Sequence, residues 1–348
     1  MRCPIPHWTS RPKTQMNEII LVLSFALSFL LTIYGTPVTR KVAQKYQLLD
    51  YPDGRLKQQK EPIPYMGGVI IYFAFISPAG LLFQFNKELL GILFAGSILL
   101  VVGLFDDLKA ITPGVKFLFQ IVATYILIKS GISIKLVILP AWLNALLSFL
   151  WILAIINAFN IIDILDGFSS SIGVVSCLTI FIISLYNKNF LISILSLSLA
   201  AALLGFLKFN WEPARIYLGD AGSMFIGLVI GALVIMGDYT MYNDLAWISG
   251  ILILSIPIFD MVYVIILRLI KGKSPFFGSP DHFALRLKKR YNLSPAKTVS
   301  VVIGIQLILS GVVILNFYTT PLVTIISTAV IFLFFVTFGL VLALVKMG

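Results

Sequence analysis

The chain has 348 residues, of which 59% are hydrophobic and 12% charged, against roughly 25% charged in an ordinary globular protein. So few charges cannot cover a water-facing surface, and a mean hydropathy of +1.00 agrees; a soluble globule, a disordered chain and a nucleic-acid-binding module are excluded. The net charge of +11 must be placed by side of a membrane, and two cysteines, Cys3 and Cys177, make no disulfide framework.

A spanning helix needs about 20 mostly apolar residues. Runs that meet or approach this begin near residues 18, 66, 89, 115, 142, 171, 190, 220, 246, 298 and 321. They predict an all-α polytopic membrane protein of ten or eleven transmembrane helices with short connectors. Residues 1–17 read as an extracytoplasmic tail and 18–348 as one integral membrane domain. The runs at 115–129 and 171–186 are short, and Pro140 separates an ambiguous stretch from a clear span. Continuous rather than alternating runs argue against a membrane barrel. The first apolar run is too long for a cleavable signal, and Met16 stands as an alternative start.

Eleven passes put the two ends on opposite sides. The loops after odd-numbered helices, their flanks and the C-terminus carry 19 of the 26 basic residues, from Arg40 to Lys346. The positive-inside rule then places these loops in the cytoplasm and the N-terminus outside, in the inner (plasma) membrane. Eleven of the 15 acids lie at or near the same face. Acids have little side preference of their own. Carboxylates beside Lys and Arg there point to a divalent metal and an anionic, phosphorylated substrate.

In chain order, the loop DYPDGRLKQQKEPIPYMGG offers Arg55 and Lys60 as phosphate contacts. Asp106-Asp107 closes the third run in VVGLFDDLKAITPGVKFLFQ. Adjacent carboxylates at a helix C-terminus are unfavourable for both like-charge and helix-dipole reasons, which a metal or positive partner offsets. Two solvated loop acids are the plainer alternative. In INAFNIIDILDGFSS, Asn157, Asn160 and Asp163 are spaced by three and share one drifting helical stripe. Asp166 precedes Gly167, where the helix is expected to stop. Such oxygens suit a hard cation such as magnesium, although Asn also bonds between helices in membranes.

The segment GDAGS, Gly219 to Ser223, opens the eighth run. Asp220 there is either a simple helix cap or, beside two other acidic clusters, part of an anion and metal site. Asp260 lies within the ninth span, with Arg268 two turns on; an acid at that depth marks function by default, with a structural ion pair as the alternative. His282 follows among Arg286, Lys288, Lys289 and Arg290, which read as substrate contacts or as a lipid-headgroup patch.

Together these segments resemble the polyprenyl-phosphate N-acetylhexosamine-1-phosphate transferases, glycosyltransferase family 4. DYPDGR…PIPYMGG, FDDLK, NAFNIIDILDGFSS, YLGDAGSMFIG, PIFDMVYVIILRL and KGKSPFFGSPDH follow the family's order over roughly residues 35–290. The resemblance implies transfer of sugar 1-phosphate from a UDP-N-acetylhexosamine to undecaprenyl phosphate, releasing UMP, at a cytoplasmic magnesium site that manganese can also fill. N-acetylglucosamine is the favoured sugar. It implies Asp220 as principal metal ligand with Asn160 as second, and catalytic roles for Asp106, Asp107, Asp163 and Asp166. Lys60, Lys116, Asn157, Tyr217, His282 and Arg286 are then the expected substrate contacts, with membrane lipids and a homodimer as expected partners.

One departure stands out. The family commonly carries a His-x-His-His run in the last loop, whereas here His282-Phe283-Ala284-Leu285 keeps only the first histidine. The loop also lacks the form of the peptidoglycan-precursor branch, the phospho-N-acetylmuramoyl-pentapeptide transferases. The chain therefore reads as one that starts O-antigen, teichoic acid or another surface glycan. A cation-coupled transporter would spread its acids through the membrane depth, and a non-catalytic scaffold would not need these acids intact. A single in-line displacement is the expected route, with a two-step path through an aspartyl-phosphate as its rival.

Overall fold

The computed structural model describes residues 11–52, 61–82, 85–240, 243, 245–274 and 279–347. In chain order, α1 is Arg11–Lys45, β1 Leu49–Asp50, β2 Ile63–Pro64, α2 Gly67–Leu82, α3 Lys87–Leu108, α4 Pro113–Lys129 and α5 Ala141–Ile161. There follow α6 Phe168–Tyr186, α7 Phe190–Asn210, α8 Gly219–Met236, α9 Ser249–Ile253, α10 Ser255–Ile270, α11 Phe283–Arg290, α12 Pro295–Tyr318 and α13 Pro321–Ala343.

Eight of these helices (α1, α3, α5, α6, α7, α8, α12 and α13) are long and apolar enough to cross a membrane. The segments Ala246–Ile253 and Ser255–Ile270 are long and apolar enough only when taken together, and they are bent by 65° at the break between them. Helices α2 and α4 are shorter, at 16 and 17 residues. A helical segment thus stands at each of the eleven places where an apolar run begins. Pro140 resolves the ambiguous 131–160 stretch: it is the residue before α5, its fixed φ of −65° suiting a helix start.

Two elements went unforeseen. Residues 49–50 and 63–64 form a two-residue antiparallel ladder, Leu49 opposite Pro64 and Asp50 opposite Ile63. A pair this short carries no alternating pattern to read. The eight-residue α11 lies in what the sequence reads as a plain basic loop; it buries Phe283, Ala284, Arg286 and Leu287 and exposes Lys289 and Arg290.

Helix α8 is the hub, with 83% of its apolar window buried against 17% for α13. It crosses α3 closely because Gly103 has no side chain: a Cβ there would stand 2.3 Å from the Ala221 Cα. Small residues at crossings let backbones approach where lipid supplies no hydrophobic drive between helices. Polar side chains knit other crossings, Thr179 donating to Ser310 at 2.8 Å and Gln306 to the Ile253 carbonyl at 2.9 Å. Large apolar side chains such as Phe332 and Leu340 lie exposed, as the lipid-facing side of a bundle requires.

Candidate active site

Four helices deliver their polar ends to one point. Asp106 and Asp107 lie in the last turn of α3, Lys116 in the first turn of α4, Asn160 in the last turn of α5, and Asp220 in the first turn of α8. Lys116 Nζ donates to Asp106 Oδ2 at 3.0 Å, to Asn160 Oδ1 at 3.4 Å, and to Asp220 Oδ2 in a short ion pair. Asn160 Nδ2 donates to Asp220 Oδ1 at 2.8 Å and to Ser223 Oγ at 2.9 Å. Asp106 is itself steadied by the Ile111 N–H, 2.9 Å from Oδ1.

Asp107 is turned toward the start of α8. Its Oδ1 accepts the Asp220 N–H at 2.9 Å and its Oδ2 the Ala221 N–H at 3.4 Å. It acts as a helix cap supplied by another helix, meeting orphan N–H groups with negative charge at the positive end of the dipole. Gly219 makes this approach feasible. Its φ is +75°, and a Cβ there would sit 2.5 Å from Asp107 Oδ2.

Asp163 and Asp166 occupy the turn between α5 and α6. Burial, then the charges of Asp220, Asp107 and Asp166, push the Asp163 carboxyl well above the usual carboxylate range. Asp166 is also raised, by burial first and by Glu212, although it accepts the Ala214 N–H at 2.8 Å. Tyr217 stands over the other rim, its ring 6.4 Å from that of Tyr65, and Tyr65 donates in a short hydrogen bond to Asp50. The backbone ties this rim together, Gly67 N–H to the Tyr217 carbonyl at 3.0 Å and Tyr217 N–H to the Pro64 carbonyl at 2.8 Å.

Three expected site residues lie apart from this point. Asn157 is engaged with Gln120 in a reciprocal amide pair, 2.9 and 3.3 Å, one turn below Asn160. Arg286 is buried, pairs with Asp281 and donates to the carbonyls of Leu342, Ala343 and Val345 at the end of α13. His282 pairs with the buried Asp260 at 2.7 Å. Lys60 lies outside the described residues. Gln120 and Ser223 are the participants sequence reading missed. Gln120 sits four residues after Lys116 on the same helical face, which is the signal that could have found it.

Among the described residues no three acidic, histidine or cysteine side chains are grouped to hold one ion. Magnesium does not need three: it keeps several waters and takes one or two carboxylates together with substrate phosphates. The donors here are all hard oxygens: among the described residues Asp106 and Asp220 pair with the one ammonium of Lys116, while Asp107 and Asp163 lie near enough to feel the Asp220 charge. That unbalanced negative charge fits a divalent cation.

Residues 89–238 match the family described as Glycosyl transferase family 4. A Bacillus subtilis (strain 168) protein named "Probable undecaprenyl-phosphate N-acetylglucosaminyl 1-phosphate transferase" is 33% identical over 305 residues, 84% of each chain. The chain belongs to glycosyl transferase family 4. Further family 4 relatives include the Mycolicibacterium smegmatis "Decaprenyl-phosphate N-acetylglucosaminephosphotransferase", 28% identical over 78% of this chain and 75% of its own. The Escherichia coli K12 "Undecaprenyl-phosphate alpha-N-acetylglucosaminyl 1-phosphate transferase" is 27% identical over 76% and 75%. The family 4 match covers Asp106, Asp107, Lys116, Asn160, Asp163, Asp166 and Asp220, and stops before Asp260 and His282.

Proposed function

We propose that this chain transfers N-acetylglucosamine 1-phosphate from UDP-N-acetylglucosamine to undecaprenyl phosphate, releasing UMP and starting a lipid-linked surface glycan. The observation that carries the reading is the meeting of Asp106, Lys116, Asn160 and Asp220 at one end of the bundle. The names of the curated relatives support the same reaction, donor sugar and carrier class. The basic loops support a cytoplasmic position for this end, in the inner membrane.

Asp220 and the Asn160 amide oxygen would hold magnesium, with Asp163 close enough to add its charge. When bound, the ion screens two phosphates from one another and neutralises the leaving UMP. Lys116 supplies a second positive charge on the α4 side, where it receives the lipid phosphate. Asp106 keeps that ammonium in place. An oxygen of the lipid phosphate attacks the β-phosphorus of the donor, the bridging P–O bond breaks, and UMP leaves with the bonding electrons. Asp107 keeps Asp220 in register by capping α8. Tyr217 and Tyr65 form an aromatic rim suited to the uracil base. The carrier would reach the site laterally from the bilayer.

The test is incubation of the purified protein with undecaprenyl phosphate and a panel of UDP-N-acetyl sugars, following UMP release with and without magnesium. Release with UDP-N-acetylglucosamine, dependent on both the lipid and the ion, is expected. No UMP from any sugar would overturn the reading.

A further inference from the structure

Asp260 and His282 lie beyond the stretch matched to the family, and the reaction scheme above gives Asp260 no part. Asp260 is fully buried in the second turn of α10. Leaving a carboxylate inside a membrane bundle is costly unless each oxygen is met. Both are met from the start of α11: Oδ2 faces His282 Nδ1 at 2.7 Å, and Oδ1 accepts the Phe283 N–H at 2.9 Å.

With the Asp260 carboxyl oxygen as acceptor, the hydrogen of this contact sits on Nδ1 of the imidazole. The tautomer and ring orientation of His282 are therefore set by Asp260. Among the described residues no group hydrogen-bonds Nε2, which remains for a ligand. The pair is also tied to the rest of the site. Phe283 packs edge-on against Phe168, ring centroids 6.2 Å apart, and Phe168 begins α6 directly after the Asp163–Gly167 turn. Phe283 packs against Phe259 as well, at 5.4 Å, next to Asp260 itself.

Position decides which substrate is concerned. Helix α5 packs against both α4 and α10. Lys116, on α4, takes the lipid phosphate; His282 is held to α10 by Asp260, between Asp281, which pairs with Lys271, and Phe283, which reaches Phe168 just after the Asp163–Gly167 turn. That position is the one left for the water-soluble substrate.

We infer that Asp260 is a positioning residue that acts through His282, holding the imidazole so that Nε2 contacts the sugar nucleotide donor and not the lipid acceptor. This rests on the proposed transferase reaction. A histidine held this way needs no further histidines beside it, which suits a loop that keeps only the first of the family run.

The experiment is steady-state kinetics on the full-length protein in detergent, varying UDP-N-acetylglucosamine and undecaprenyl phosphate separately. The proteins compared are the wild type, Asp260→Asn, His282→Ala and the double variant. Asn can still accept the Phe283 N–H but turns its amide N–H toward Nδ1, which reverses the tautomer. The KM for UDP-N-acetylglucosamine should rise about tenfold in Asp260→Asn, while that for undecaprenyl phosphate changes less than about twofold. The double variant should be no worse than His282→Ala, since one residue works through the other.

Equal rises in both KM values, a fall in kcat alone, or additive losses in the double variant would overturn the inference. If Asp260→Asn does not accumulate, the KM split of His282→Ala decides by the same criteria. A wild type that releases no UMP would overturn the proposed function. An active wild type whose variants keep the donor KM overturns this inference alone.

Discussion

Lys116 and Asp220, 104 residues apart in the chain, form an ion pair between the first turns of α4 and α8. The same ammonium holds Asp106, so a single cation keeps two carboxylates from repelling one another. Replacing Lys116 with Met keeps the stem and removes the charge. The expected result is a loss of about a hundredfold or more in UMP release, the scale of removing one charge-stabilising group from an active site. Full activity in Lys116→Met would remove the residue from the mechanism.

Asp220→Asn should abolish the response to magnesium as well as turnover, whereas Asn160→Ala should weaken the response and leave some turnover. The readout is UMP release across a magnesium titration. An Asp220→Asn protein with wild-type magnesium dependence would sink the assignment of the ion to this carboxylate.

The raised Asp163 carboxyl gives a pH dependence with a definite sign. The folded protein holds this proton at pH values where the unfolded chain has lost it. Without a divalent cation, stability should therefore fall as pH rises above the ordinary carboxylate range toward the raised value. A bound cation displaces the proton, so the stabilisation magnesium confers should grow over the same interval. Melting temperatures in detergent between mildly acidic and neutral pH, with and without magnesium, measure both trends. A magnesium effect independent of pH, or unchanged in Asp163→Asn, would contradict this account.

Arg286 should behave as a structural residue. It satisfies three carbonyls at the end of α13 and pairs with Asp281 among buried groups. Removing one partner of a buried pair costs about 3 kcal/mol or more. Arg286→Met should lower the melting temperature while the protein that remains folded keeps both KM values. Asp281 adds a second sign. Burial would raise its carboxyl, but hydrogen bonds from Lys271 and Arg286 outweigh it and hold it below the usual range. Its contribution to stability is present above the ordinary carboxylate pKa and is lost as pH falls through the depressed one. A changed donor KM in Arg286→Met would return the residue to the substrate site.

Gly103→Ala tests the α3–α8 crossing. The added methyl meets the Ala221 backbone, which cannot swing aside. Overpacking of this kind costs about 1–3 kcal/mol. Because Asp107 and Asp220 flank the same crossing, turnover should drop together with the melting temperature. A stable, fully active Gly103→Ala protein would show that the crossing has slack.

Much of this was legible in the sequence. Eleven apolar runs mark eleven helical segments, eight of them long enough to span by themselves, because membrane helices need continuous apolar length, a signal read without contacts. The convergence of Asp106, Lys116, Asn160 and Asp220 was suggested by their places at run ends on one face. The roles of other polar residues were not legible. Asn157 and Gln120 pair across α4 and α5, and no spacing within either helix shows the other's face. Arg286 looked like its basic neighbours, yet its partners come from the end of α13, more than 50 residues away. Asp260 gave a depth in the membrane but not its partner, because His282 reaches it through a short helix that a composition of four basic residues in eight conceals.

The hub position of α8 bears on how small a working enzyme could be. Its 18 residues rise about 27 Å, so Asp220 stands on a rod that traverses the hydrocarbon region. Asp106, Lys116 and Asn160 each end a different apolar helix leaning on that rod or on its neighbour. No water-soluble fragment can therefore carry the chemistry. The acids can be excised from the bilayer only by taking the scaffold with them, and the smallest catalytic unit is the bundle itself.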